Sequence, residues 1–218
     1  MPQVPWTILN LIRWTDERFR REGLSTPRLD AEVLLAETLG VDRVGLYTHF
    51  DQPLLPEELA RFKKLIQRRL QREPVAYIIG SREFWSLTFK VTPDVLIPRP
   101  ETEILVAEAL KVVSAPERTG QNFRILEIGT GSGAISIALA KECPSALLVA
   151  TDLSAEALAI AQENASRLGV GERIQFLQGD LFTPLEKEST FELIITNPPY
   201  IAEDDFPSLP PEVRGFDP

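Results

Sequence analysis

Residues 124–133 read Arg-Ile-Leu-Glu-Ile-Gly-Thr-Gly-Ser-Gly, an apolar run that ends in three alternating glycines and passes into the helical pattern of Gly133 to Lys141. A strand that turns through glycines directly into a helix is the first half of a β-α-β unit, because parallel strands need a crossover connection. The rest of the chain repeats the alternation. Ala146 to Thr151 reads as a strand, Ser154 to Leu168 as a helix, and Arg173 to Leu177 and Phe191 to Thr196 as two further strands. Strands that alternate with helices predict a parallel sheet covered on both faces, here an α/β, doubly wound, Rossmann-like fold.

Glycine is required in the loop because a side chain would block close approach of a ligand to the backbone. The loop alone leaves the ligand open. Gly129, Gly131 and Ala134 also fit the looser dinucleotide pattern, with Asp152 at roughly the spacing of a ribose-binding acid. Three carboxylates favour S-adenosylmethionine. Glu127 precedes the loop, where it would face the cationic end of a sulfonium amino acid and would repel a pyrophosphate. Asp152 ends the second strand, placed to accept from both ribose hydroxyls. Asp180, in Gly179-Asp180-Leu181-Phe182, follows the third strand and is placed to accept from the adenine amino group. The competing explanation is that these acids cap helices or turns, with Asp152 and Ser154 both eligible as the cap of the next helix.

Asn197-Pro198-Pro199-Tyr200 follows the fourth apolar strand. The prolines stiffen the backbone and leave carbonyls beside residues with no amide donor. A planar NH2 group needs two fixed acceptors, and the Asn197 side-chain oxygen and the Pro198 carbonyl can supply them, with Tyr200 against the flat face. Such acceptors have a chemical use. An amide nitrogen's lone pair is delocalised, and hydrogen bonds from both N–H groups push electron density onto nitrogen and aim it.

The first ~75 residues have helical spacing throughout. Ile8, Leu11, Ile12 and Phe19 share one face. Ser25-Thr26-Pro27 reads as a hydroxyl-capped helix start, and Gly40 as its end. A short helix is expected from Asp42 to His49, and another from Pro56-Glu57-Glu58 with Leu59, Phe62, Ile66 and Leu70 on its buried side. Lys63, Lys64, Arg68, Arg69 and Arg72 read as that helix's solvated face. Tyr77 to Pro98, with Phe84, Trp85, Leu87, Phe89, Val91, Val95 and Ile97, has strand texture and predicts a β-hairpin linker. Pro100 then starts a helix with Glu101 and Glu103 in its first turn. The expected domains are therefore a helical bundle over 1–75, the hairpin over 76–100 and the doubly wound domain over 101–218.

A net charge of −9 argues against sequence-indifferent binding to nucleic acid, which needs a basic face. No apolar run approaches the ~20 residues of a membrane span. His49 is the only histidine and Cys143 the only cysteine, so neither a histidine metal cluster, nor a Ser-His-Asp triad, nor an internal disulfide can be built, and no metal is expected. Cys143 reads as an inert packed thiol, Trp6, Trp14 and Trp85 as packing residues, and Glu203-Asp204-Asp205 as a solvated loop. A cytoplasmic monomer is the expectation.

With the glycine loop, Asn197 to Tyr200 and Ile97-Pro98-Arg99-Pro100-Glu101-Thr102-Glu103 in view, the chain resembles the release factor glutamine methyltransferases, a branch of the class I S-adenosylmethionine-dependent enzymes. The resemblance runs over essentially the whole sequence. It implies methyl transfer to the side-chain amide of the glutamine in the Gly-Gly-Gln motif of peptide chain release factors, with the helical domain recognising that substrate. It places Gly129, Thr130, Gly131, Ser132, Gly133 and Asp152 on the cofactor, with Leu181 beside the adenine. Asn197 is the catalytic acceptor, with Pro198 and Tyr200, and also borders the cofactor. Asn197, Pro198, Pro199 and Tyr200 hold the glutamine, and Arg99 to Glu103 borders the pocket. The family's sheets carry more strands than the four found before Pro218, so the last strand is expected to be a bare apolar edge. The same acceptor geometry suits an exocyclic amine of adenine or guanine. A non-catalytic module that binds a partner through its helices is the third possibility.

Overall fold

The computed structural model describes residues 6–114, 123–187 and 189–218. In chain order the helices and strands are α1 (Ile8–Arg21), α2 (Pro27–Leu39), α3 (Arg43–Thr48), α4 (Pro56–Leu70), α5 (Val75–Ile79), β1 (Ser81–Phe84), β2 (Leu87–Lys90), α6 (Glu103–Val113), β3 (Arg124–Ile128), α7 (Ala134–Glu142), β4 (Leu147–Asp152), α8 (Ala155–Arg167), β5 (Ile174–Gln178), β6 (Leu193–Thr196) and α9 (Pro211–Phe216). The chain separates into two units. One holds residues 1–79 and 210–216, the other 80–209 and 217–218. Among the described residues no helix is long and apolar enough to cross a membrane.

The helical unit packs Ile8, Leu11, Ile12 and Phe19 of α1 against Leu34, Leu35, Phe62 and Ile66. Gly40 ends α2 in the left-handed conformation, as its position suggested. Four details differ from the sequence expectation. The Thr26 hydroxyl makes no cap and instead donates to Asp30 Oδ1 at 2.7 Å. Tyr77 lies in the fifth short helix α5, not in strand. Lys63 and Lys64 are solvated, whereas Arg69 is only 4% exposed. Its guanidinium donates to buried Asp30 at 2.7 Å and to Glu212 of α9 at 3.2 Å. Spacing on α4 alone cannot reveal this, because the partners lie far off in sequence. Trp6 and Trp14 also depart from core packing. Both are about half exposed and meet edge to face, with ring centroids 6.1 Å apart.

In the second unit β1 and β2 pair antiparallel around Trp85 and Ser86, both at positive φ. This is the paired left-handed geometry of a tight hairpin, normally given to Asn or Gly. Two carboxylates hold it here. Glu103 accepts from the Trp85 amide at 2.8 Å and Glu142 from its indole at 2.9 Å. Phe84 and Phe89 join the core of this unit. Pro100–Thr102 forms a single 3-10 turn before α6, and Glu203–Ser208 is a 3-10 turn where an open loop was expected.

The sheet is all parallel, in the order β5-β4-β3-β6. From β3 the chain winds outward through α7, β4, α8 and β5, then returns to place β6 on the other side of β3. The direction of winding therefore reverses between β3 and β6. That reversal is where ligands bind in doubly wound folds, outside the carboxyl ends of the strands. Among the described residues β6 pairs with β3 alone, and its Ile194 is half exposed.

Candidate active site at the carboxyl edge of the sheet

Parallel pairing fixes which residues meet at the reversal. Ile128 pairs with Thr151 on one side and Thr196 on the other. The next residues, Gly129, Asp152 and Asn197, thus leave three adjacent strands at one level, about 4.8 Å apart per strand. Thr151 accepts from the amides of Gly129 and Thr130, at 2.9 and 3.0 Å, and seats the loop on β4.

Gly129, Gly131 and Gly133 have φ of 74°, 54° and 80°. Their roles separate sterically. A Cβ on Gly129 or Gly131 would meet nothing within 4 Å, so open space lies above them. A Cβ on Gly133 would sit 2.9 Å from Ile137 Cδ1 and 3.2 Å from Ala161 Cβ, so this glycine serves packing of the α7 start against α8. Thr130 and Ser132 are buried under the loop.

Asp152 is half-buried and uses both oxygens. Oδ2 accepts from the Gly131 amide at 2.8 Å and Oδ1 from the Ser154 amide at 3.0 Å. The cap of α8 is Ser154, whose hydroxyl accepts from the Ala157 amide at 3.0 Å. Glu127 is 2% exposed. Its Oε2 accepts from the Thr130 hydroxyl at 2.8 Å, the Ser136 amide at 3.0 Å and the Ser136 hydroxyl. The carboxylate reaches from the strand end into the first turn of α7, where the helix dipole favours negative charge. Burial nevertheless pushes its carboxyl up to about 7. The hydrogen bonds from Ser136 and Thr130 oppose the shift, and the charge of Asp152 adds to it. Glu127 thus clamps the loop in this structure, a task its position before the glycines did not disclose.

Asp180 and Leu181 follow β5 at the same edge. Both are exposed, and Leu181 holds φ of 48°. Across the reversal, Asn197 is half-buried and its Nδ2 donates to Thr102 Oγ1 at 3.4 Å. Among the described residues its Oδ1 takes no hydrogen bond. Pro198 and Pro199 are exposed, and Tyr200 is 81% exposed.

Two contributors, Ser136 and Asn164, escaped the sequence reading, and a third, Thr102, was placed at the pocket border with the rest of Arg99 to Glu103 but without its contact. Thr102 holds Asn197. Ser136 is the second donor to Glu127. Asn164, fully buried on α8, donates to the Ser132 carbonyl at 2.9 Å and to the Lys90 carbonyl at 3.0 Å, and accepts from the Lys90 amide at 2.8 Å. It braces the loop and β2 together. A mid-helix asparagine one turn from Ile160, Ala161 and Leu168 was the available signal, since a buried amide must find partners. His49 closes α3, and Cys143 is buried with its thiol pushed up by burial, both as expected. Among the described residues no group of acidic, histidine or cysteine side chains is arranged to hold a metal.

Two family models match the chain: the PrmC N-terminal domain over residues 10–80 and the methyltransferase small domain over residues 103–208. Curated relatives named release factor glutamine methyltransferase include those of Rhodopirellula baltica, 44% identical over 98% of this chain and 72% of that one, and Geobacter sulfurreducens, 47% identical over the same shares. The protein of that name from Chlorobaculum tepidum is 39% identical over 98% of this chain and 74% of its own.

Proposed function

This chain belongs to the release factor glutamine methyltransferases, and from that premise we propose that it transfers a methyl group from S-adenosylmethionine to the side-chain amide nitrogen of a glutamine, that of the Gly-Gly-Gln motif of a peptide chain release factor. The observation that carries the reading is the register of β3 between β4 and β6. It sets a glycine loop with open space above it, a strand-end aspartate and a rigid Asn-Pro-Pro-Tyr segment side by side at the winding reversal.

The residues suit the cofactor. Gly129 and Gly131 offer backbone with open space above it, within a loop that runs to Gly133, and Asp152, at the end of β4, would accept from the ribose hydroxyls. Asp180 and Leu181 are exposed where an adenine would lie. When bound, S-adenosylmethionine supplies a methyl on a sulfonium, which is already activated toward a nucleophile. The chain's own work is on the acceptor. The Asn197 oxygen and the Pro198 carbonyl accept the two N–H groups of the glutamine amide, draw electron density onto its nitrogen and fix its aim. Tyr200 covers the flat face. The nitrogen would take the methyl as the methyl's bond to the sulfonium sulfur breaks, which leaves a neutral thioether; the positive charge passes to the amide, whose N–H proton then leaves readily to solvent, so no strong base is needed. The helical unit is proposed to recognise the release factor, residues 76–100 to link it to the transferase part, and the protein to act as a cytoplasmic monomer.

Transfer of labelled methyl to purified release factor, with tRNA, ribosomal RNA and DNA as controls, tests the reading. Label on the glutamine amide of the factor is the expected result. Label on a nucleic acid and none on the factor would overturn it in favour of an exocyclic amine.

A further inference from the structure

The Pro100–Thr102 turn is held on both sides. Proline stands at positions 98 and 100, and the Thr102 amide donates to the Arg99 carbonyl at 3.0 Å. Upstream, Arg99 pairs with Asp217 at 2.5 Å. Downstream, Glu103 accepts from the Trp85 amide of the hairpin turn at 2.8 Å. A 3-10 turn fixed in this way presents its last side chain from a rigid base, and that side chain is Thr102, whose hydroxyl oxygen lies 3.4 Å from Asn197 Nδ2.

A carboxamide has two ends of nearly equal size and opposite hydrogen-bonding character. Shape alone therefore does not fix which end of the Asn197 carboxamide faces the acceptor. Turned over, it would offer NH2 to the NH2 of the acceptor, donor against donor. Thr102 breaks the tie by accepting from Nδ2, which leaves Oδ1 toward the acceptor. Building on the function proposed above, we propose that Thr102 is a positioning residue that sets the direction of the Asn197 amide and so selects a planar NH2 group as the methyl acceptor.

Thr102→Val keeps the branched shape and removes the hydroxyl. Thr102→Ser keeps the hydroxyl and removes a methyl. Steady-state methylation of a release factor by the full protein is compared for the three forms, with cofactor affinity by calorimetry and melting temperature alongside. The valine form should lose five- to tenfold in kcat, about the factor one hydrogen bond carries. KM for the factor and the cofactor Kd should stay within about twofold, and the serine form should recover most of kcat. A valine form with unchanged kcat overturns the inference, as does equal loss in both variants, or a loss confined to KM or to cofactor affinity. Wild type that binds cofactor yet leaves the factor unmethylated removes the functional reading itself. Wild type that turns over beside an unimpaired valine form removes only the role of Thr102.

Discussion

Replacing Glu127 by glutamine separates what burial costs from what charge contributes. The folded state raises the Glu127 carboxyl from 4.5 to about 7. An acid with a raised folded value favours the folded protein most when protonated. That contribution is complete below the unfolded value of 4.5 and is lost as pH climbs through 7. The shift of about 2.5 units corresponds to roughly 3.4 kcal/mol, of which about 2.5 kcal/mol falls between pH 5 and pH 8. Glutamine retains an oxygen to accept from Thr130 and Ser136 and cannot ionise. The stability of Glu127→Gln minus that of wild type should therefore grow by about 2.5 kcal/mol from pH 5 to pH 8. Urea unfolding read at Trp85, in a background with Trp6 and Trp14 changed to Phe, reports the unit that carries the loop. If the negative charge also attracts the cationic cofactor, the same variant should bind it more weakly at pH 8, so stability and affinity move in opposite directions. A stability difference that stays flat with pH, within about 0.5 kcal/mol, would refute the burial argument for Glu127.

The other expectations concern single positions. Asn197→Ala should reduce kcat by about a hundredfold or more while cofactor affinity, measured by calorimetry, changes much less; equal loss of both would argue against its acceptor role. Gly133→Ala should cost about 1–3 kcal/mol in urea melts because of its positive φ and its contacts with Ile137 and Ala161. Gly129→Ala meets no neighbour but is strained by its φ of 74°, so it should cost about 1 kcal/mol in the same melts as well as weakening cofactor affinity. Arg69→Met should cost about 3–5 kcal/mol by leaving Asp30 buried without its partner, and adding Asp30→Asn should restore much of the loss in melts of the double variant. Cys143 should react with a thiol reagent only at the rate of unfolding, since it is buried and its thiol is pushed up.

What the sequence disclosed and what it withheld divide along a physical line. Strand and helix periodicity report each element's own burial, so the parallel sheet and its glycine turn were readable from residues 124–196 alone. The meeting of Gly129, Asp152 and Asn197 followed too, because parallel strands share a carboxyl edge. Polar side chains are a different case. Whether Asp152 caps a turn, holds the glycine loop or does both depends on backbone amides from two separate loops: its bond from Ser154, two residues on, is the local cap the sequence offered, and its bond from Gly131, 21 residues away, is not legible there. Arg69 stands seven residues after Phe62 and three after Ile66, on the buried face of its helix, so its charge suggested solvent where its spacing did not, and its partners are 39 and 143 residues away.

The same division bears on the acceptor. Asn197-Pro198-Pro199-Tyr200 is legible as a motif because proline acts locally on its own backbone. The direction of the Asn197 amide is not, since it depends on a hydroxyl 95 residues earlier in the chain. A motif can therefore name the atoms that grip a planar NH2 group and still leave open which way they face. That direction is set by a turn pinned between Arg99–Asp217 and Glu103–Trp85. Loosening either pin should disturb turnover through Thr102, with kcat falling before cofactor affinity does. Arg99→Met tests this directly, and a fall in cofactor affinity with kcat unchanged would sever the proposed chain of contacts.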